Sequence, residues 1–195
     1  MSTSGRPYHH ADLRATLIAG AIELLEAGEP YSLRAVARHA GVSPTAPYRH
    51  FADRQALDSA IAAESFTRLQ AALTDVLDTA PADEPAADLL ADLGVAYVRF
   101  ALDHPAVFHV MFGGPCDPAD SDRVQASQAL HALLRDVLVH TLPDQASPAL
   151  ATALWGLAHG LACLHLDGKY RPGPGAEVAD RVRAAFAAML TARVG

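Results

Sequence analysis

Hydrogen-bond donors crowd one short stretch of this chain. Between residues 32 and 54 lie Ser32, Arg34, Ser43, Thr45, Tyr48, Arg49, His50 and Arg54, interrupted by the small apolar Ala46 and Pro47. This donor set suits binding to an anion. Tyr48 and His50 can donate to phosphate oxygens, and Arg54 can hold a phosphate through two parallel N–H bonds. Ser32 adds its hydroxyl and the backbone N–H groups of the helix it opens. Thr45 falls in the first turn of a short helix, where side chains and amides face a groove together. Arg34 and Arg49 are further backbone or base contacts, and Ala46 and Pro47 offer only apolar surface, suited to thymine methyl groups. Against this stand plainer readings: Tyr48 as a core aromatic and Arg34 as a solvated surface charge. Arg6, His9 and His10 form either an arm on the phosphates or a frayed tail.

A second constellation is His159 and Cys163, one helical turn apart, with Cys116 and His165 as further candidate metal ligands. A buried, hydrogen-bonded histidine beside a buried cysteine is the simpler reading, so neither a metal nor a cofactor is expected. The chain contains no G-x-S-x-G, no H-E-x-x-H and no phosphate loop, which argues against an enzyme.

The elements that must position these residues are helices. The 195 residues include 41 Ala, 14 Arg and a single Lys, Lys169. Ala leads the helix scale and β-branched residues are sparse, so the chain reads as all-α. Apolar spacing and stop signals predict nine helices, at 11–27, 33–40, 44–50, 54–79, 86–103, 106–112, 119–141, 148–166 and 176–193. Ser32, Ser43, Asp53 and Ser147 are the expected N-caps. Pro44 and Pro148 stand at first helical positions, and Gly41 closes the helix before the donor-rich one. Pro47 deletes a backbone donor within that short helix. Two short helices about Gly41, with Val36, Ala37, Ala40 and Val42 inside, are the geometry of a helix-turn-helix; an ordinary helical corner is the alternative.

The donor-rich segment reads AVARHAGVS, then PYRHF, then ADRQAL. It resembles the tetracycline-repressor-like (TetR) family of bacterial transcription regulators, whose pattern matches here at Tyr48, His50, Phe51 and Arg54. Trp155-Gly156-x-x-His159-Gly160 resembles the C-terminal domain of one subgroup with a Trp-His-Gly pattern. The resemblance implies a helix-turn-helix head over residues 1–54 and an effector-binding and dimerisation domain over 55–195. It further implies a homodimeric, cytoplasmic regulator on a palindromic operator. By default this is a repressor released by a small apolar or aromatic effector; an activator, or a regulator without an effector, is the alternative. The expected pocket is lined by Phe66, Leu69, Tyr97, Phe100, Phe108, Met111, Phe112, Trp155 and His159. Leu154, Leu157, Leu161 and Leu164, with Val178, Val182, Phe186 and Met189, are expected at the dimer interface, one apolar stripe on each of two helices.

Charge at first speaks against DNA. The net charge is −7, from 15 basic and 22 acidic residues. Residues 1–54 hold six Arg against five acids, so the acidity sits almost wholly beyond the head. No uninterrupted apolar run approaches 18 residues, so no membrane-spanning helix is expected. The first residues lack the apolar core of a signal peptide, and the two cysteines suggest no disulfide framework.

Overall fold

The structure, a computed structural model, describes residues 13–113, 121–170 and 174–191. Among these it holds eight α-helices: α1 (Leu13–Glu26), α2 (Leu33–His39), α3 (Arg54–Thr79), α4 (Ala86–Asp103), α5 (Pro105–Phe112), α6 (Ser121–Thr141), α7 (Pro148–Leu166) and α8 (Gly175–Thr191). A single 3-10 turn, Pro47–Arg49, lies between α2 and α3. Three of the four expected N-caps are formed; Ser43 is the exception, because the 3-10 turn starts only at Pro47 and the Ser43 hydroxyl bonds Thr45 Oγ1 instead. Ser32 Oγ accepts from Ala35 N at 3.2 Å, Asp53 Oδ1 from Ala56 N at 2.9 Å, and Ser147 Oγ from Leu150 N at 3.2 Å. Each satisfies one of the N–H groups that a helix start leaves without a partner. Cys116 and the N-terminal Arg6, His9 and His10 lie outside the described residues.

The head is built from α1, α2, the 3-10 turn and the start of α3. α1 buries Leu17, Ala21 and Ile22, α2 buries Leu33, Val36 and Ala37, and Phe51 is 2% exposed among them. Gly41 ends α2 at φ +67°, a conformation in which a side chain would be strained. Its N–H bonds to Arg38 O and that of Val42 to Ala37 O, which caps the free carbonyls of α2 and turns the chain.

The expected helix over 44–50 is only this one turn of 3-10 helix. Pro47 has no N–H to give Ser43 O, and its ring would crowd that carbonyl. Ser43 O instead takes the Ala46 N–H at 3.0 Å, and Arg49 and His50 bond back three residues. The spacing is that of a 3-10 helix.

The body packs α3 against α5 and α6, and sets α4 between α7 and α8. One cluster of buried apolar side chains runs through head and body. α7 departs from the expected absence of a spanning segment, since by length and composition alone it could cross a membrane. It lacks any charged side chain; Thr152, His159 and His165 are what interrupt it. Only Leu150, Leu154, Ala158, Leu161 and Ala162 of this helix are buried.

Candidate nucleic-acid interface and effector cavity

The turn at Gly41 delivers the donors to one exposed stretch. Ser43, Thr45, Tyr48 and Arg49 are exposed and His50 is half-buried. Ser43 and Thr45 share a hydrogen bond between their hydroxyls at 3.2 Å. Tyr48 is 51% exposed, unusual for a large ring and contrary to a core role. Ser32 and Arg34 on α2 and Arg54 at the first position of α3 are exposed as well. Ser32 Oγ serves Ala35 N as an acceptor, which leaves its O–H to donate outward. Pro47 is the exception. It is buried, and Ala46 is half-buried against the core, so neither presents the expected apolar contact surface. The tight turn points Pro47 inward, where its carbonyl accepts from both His50 N and Phe51 N at 2.9 Å.

Two residues that the sequence reading passed over shape this face. The Tyr31 hydroxyl donates to Asp58 Oδ1 at 2.5 Å. The Arg54 guanidinium lies 4.2 Å over the Tyr31 ring and 3.7 Å, through Nε, from Asp58 Oδ2. The signal available was the four-residue spacing of Arg54 and Asp58 on one helix face. His39, at the end of α2, is held by Glu23 at 2.7 Å. Two further contacts tie α1 to the body: Glu26 with His104 at 2.7 Å and Arg14 with Asp122 at 3.4 Å.

The body encloses a cavity of about 40 Å³ between α3, α4, α6, α7 and α8. Leu73, Leu90, Leu93, Leu134, Leu138 and Leu154 supply most of its wall, with Tyr97, Trp155 and Phe186. Of the nine residues expected at the pocket, only Tyr97 and Trp155 line it. Leu69 and Met111 are buried core at 0% and 1% exposed. Phe100 packs at a tilt against His104, with centroids 5.0 Å apart, and faces a different groove. The others gather beside the cavity. Tyr97, Phe108, Phe112 and Trp155 surround the His159 ring with centroids 4.6 to 6.3 Å away, and Phe66 packs edge-on to Phe112.

Burial sets the protons in this cluster. It pushes the Tyr97 phenol well above its usual range and lowers the His159 imidazole. Tyr97 O–H therefore donates to neutral His159 Nδ1 at 3.0 Å, and His159 Nε2–H points to Cys163 Sγ at 3.5 Å. Burial, then the charge of Asp167, raises the Cys163 thiol. The thiol is protonated at neutral pH, and no third ligating side chain joins the pair among the described residues. His165 turns away to Arg181 Nη1 at 3.2 Å. The Trp155 indole N–H is buried without a hydrogen-bond partner.

The expected dimer face divides in two. Leu154, Leu161, Val178, Val182 and Phe186 are buried in the protomer's own core, which corrects their assignment to an interface. Residues 154, 158 and 161 recur on the side of α7 that packs on α4, so a stripe drawn through every leucine spans more than one face. Leu164 is exposed, and Leu157 and Met189 are half-buried. Around Leu157 and Leu164, the Gly156 and Gly160 positions meet open space.

A family model described as tetracyclin repressor-like, C-terminal domain, matches residues 90–192. A solved protein of unknown function from Rhodococcus sp. RHA1 is 35% identical, covering 93% of this chain and 97% of its own at a TM-score of 0.78. A TetR transcriptional regulator from the same organism shares the fold at 21% identity, 93% and 99% coverage and a TM-score of 0.62. The TetR family transcriptional regulator PfmR from Thermus thermophilus does so at 18% identity, 97% coverage of each chain and a TM-score of 0.63. No curated protein matches. The architecture is that of a helical transcription regulator with an N-terminal helix-turn-helix. The chain belongs to the tetracycline-repressor-like family. The matching description names no Trp-His-Gly subgroup.

Proposed function

We propose that this protein is a ligand-responsive transcription regulator that binds a palindromic DNA operator as a homodimer and represses until an effector releases it. Residues 1–54 form the DNA-binding head, and residues 55–195 hold the effector and the dimer contact. The observation that carries this reading is the exposed donor set at the Gly41 turn. Ser43, Thr45, Tyr48 and Arg49 stand together, flanked by Arg34 and Arg54, on a head whose core is otherwise closed. With Pro47 turned inward, base reading falls to Thr45, Arg49, Arg34 and DNA shape. A dimer through the open faces of α7 and α8 covers Leu157, Leu164 and Met189. It also sets two heads about 34–36 Å apart, one turn of DNA.

The test is a gel-shift titration at fixed salt on a duplex enriched from a random pool by the wild-type protein. Combining Tyr48→Ala with Arg54→Ala is expected to weaken binding more than about tenfold, as loss of two charge-assisted or polar phosphate contacts requires. Circular dichroism should show the fold unchanged. Undiminished affinity would sink the assignment of these contacts.

One observation favours a second reading, a regulator with no effector. A cavity of about 40 Å³ has room for little more than one water molecule. An effector at this cavity requires the helices around Leu73, Tyr97 and Trp155 to part, so it binds an opened state more tightly than this one. Such a molecule is small and largely apolar, oriented by the Trp155 N–H. Thermal-shift screening of apolar compounds, with DNA release as readout, separates the two readings.

A further inference from the structure

We propose that Tyr31 is a positioning residue for DNA binding: with Asp58 it holds the Arg54 guanidinium ready for a phosphate. This rests on the reading of Arg54 as a phosphate contact. Arg54 is 59% exposed at its side chain, so left alone it would sample many rotamers. Two contacts restrain it, and a third fixes one of the partners. Its guanidinium lies flat enough over the Tyr31 ring to place its carbon 4.2 Å from the centroid. Its Nε is 3.7 Å from Asp58 Oδ2. Asp58 is itself fixed, because Tyr31 O–H donates to Oδ1 at 2.5 Å. The phenol is anchored in turn, since Tyr31 is only 8% exposed.

The three side chains thus close a ring that begins on a buried residue of the head and ends on an exposed charge. The approach to the carboxylate is through Nε. The guanidinium also donates to the Tyr31 hydroxyl, and its remaining N–H groups can face a phosphate. The contact to Asp58 is too long for a hydrogen bond, so it steers Arg54 without competing strongly for it. Ordering a long side chain normally detracts from binding, and a fork already ordered in the free protein avoids that loss. The backbone adds to the arrangement. Asp53, immediately before Arg54, caps α3 through Ala56 N and so fixes where the arginine leaves the helix.

The experiment is a double-mutant cycle in the full-length protein, read by fluorescence anisotropy on the enriched duplex and on calf-thymus DNA over a salt series. Arg54→Ala is expected to cost about tenfold in affinity and, in a dimer losing two phosphate contacts, to lower the slope of log K against log salt by about 1.8. Tyr31→Leu, which removes ring and hydroxyl, is expected to cost about fivefold and to shift the salt slope in the same direction. Tyr31→Phe, which keeps the ring, should restore most of that loss. In the Arg54→Ala background neither Tyr31 substitution should matter. Equal losses from Tyr31→Leu with and without Arg54 would show that Tyr31 merely supports the head, and would overturn the proposal. If Tyr31→Leu does not fold, the cycle is run with Tyr31→Phe, where about a twofold loss confined to the Arg54 background is expected. No loss there overturns the proposal too. Unchanged affinity and slope in Arg54→Ala alone would instead remove the phosphate contact on which the inference stands.

Discussion

Replacing Gly94 with alanine tests which way α8 faces. Gly94 is buried inside α4, and an added Cβ would stand 2.5 Å from Cε2 and Cζ of Phe186 and 3.2 Å from its Cδ2. Carbon atoms pack at about 3.5–4.0 Å, so the ring edge must retreat by about 1 Å or more. Phe186 is 3% exposed, and the space open to it is the cavity of about 40 Å³ that it walls together with Gly94. Two effects then oppose each other. Alanine gains about 1 kcal/mol over glycine in a helix interior. Overpacking costs about 1–3 kcal/mol, and a 2.5 Å approach to a ring with only that small cavity to enter puts it in the upper part of that range, about 2–3 kcal/mol. The net expectation is a loss of about 1–2 kcal/mol, a fall of about 2–8 °C in Tm for a chain of this size. The assay is thermal unfolding at one protein concentration, because a dimer's Tm depends on concentration. Phe186→Leu makes room for the new methyl, so the double variant should be more stable than the two single losses combined, by about 1 kcal/mol. A Gly94→Ala protein that melts higher than wild type would refute the reasoning. That is the outcome expected if Phe186 points outward to a partner, as its spacing with Val182 and Met189 suggested.

Two further predictions concern the outer face and the buried histidine. Multi-angle light scattering at micromolar concentration should show a dimer, and Leu157→Glu with Leu164→Glu should give a folded monomer; a wild-type monomer would remove the α7–α8 interface. Burial lowers the folded-state pKa of His159 below 6.5, so on acidification the unfolded chain takes up a proton before the native one does. Stability is therefore held above about pH 6.5 and falls as pH drops towards the folded pKa. His165 shifts in the same direction, so the readout is the difference between wild type and His159→Gln in urea unfolding from pH 7.5 to 5. A pH dependence unaltered in His159→Gln would contradict the burial argument.

The sequence told most where a local rule decides the outcome. Ser32, Asp53 and Ser147 mark helix starts because an oxygen at that point has a free N–H to accept from, whatever surrounds it. Gly41 marks the end of α2 for the same kind of reason. The boundaries of α4 and α7 followed from their prolines, glycines and apolar spacing. What stayed hidden depends on a second segment. Whether Pro47 faces DNA or core turns on a one-turn 3-10 helix packing against α2. Whether Phe186 belongs to the core or an interface turns on a glycine 92 residues earlier. Nothing in the sequence marks Tyr31, the residue before a helix cap, and only the fold brings it under Arg54. Helical periodicity narrows a face to a broad stripe, and neighbouring helices then choose among its residues.

The charge distribution constrains how such a protein approaches DNA. A body with nine basic and 17 acidic residues is repelled by phosphate, and a head with six arginines against five acids is barely attracted. Two of those arginines stand beside an acid: Arg14 beside Asp122 and Arg54 beside Asp58. Bulk attraction cannot carry binding under these conditions, so placement must. That gives the Gly41 turn, the Asp53 cap and the Tyr31–Asp58 tether a common consequence. Each fixes a donor's position before DNA arrives, and each acts twice in a dimer. The same economy makes the head sensitive to geometry, since few contacts are in reserve. A shift of α3 relayed from the cavity past Leu73 would displace Arg54 at the other end of the same unbroken helix. A weakly charged head is thus easier to release than a strongly basic one, because losing register on a few phosphates removes most of what holds it.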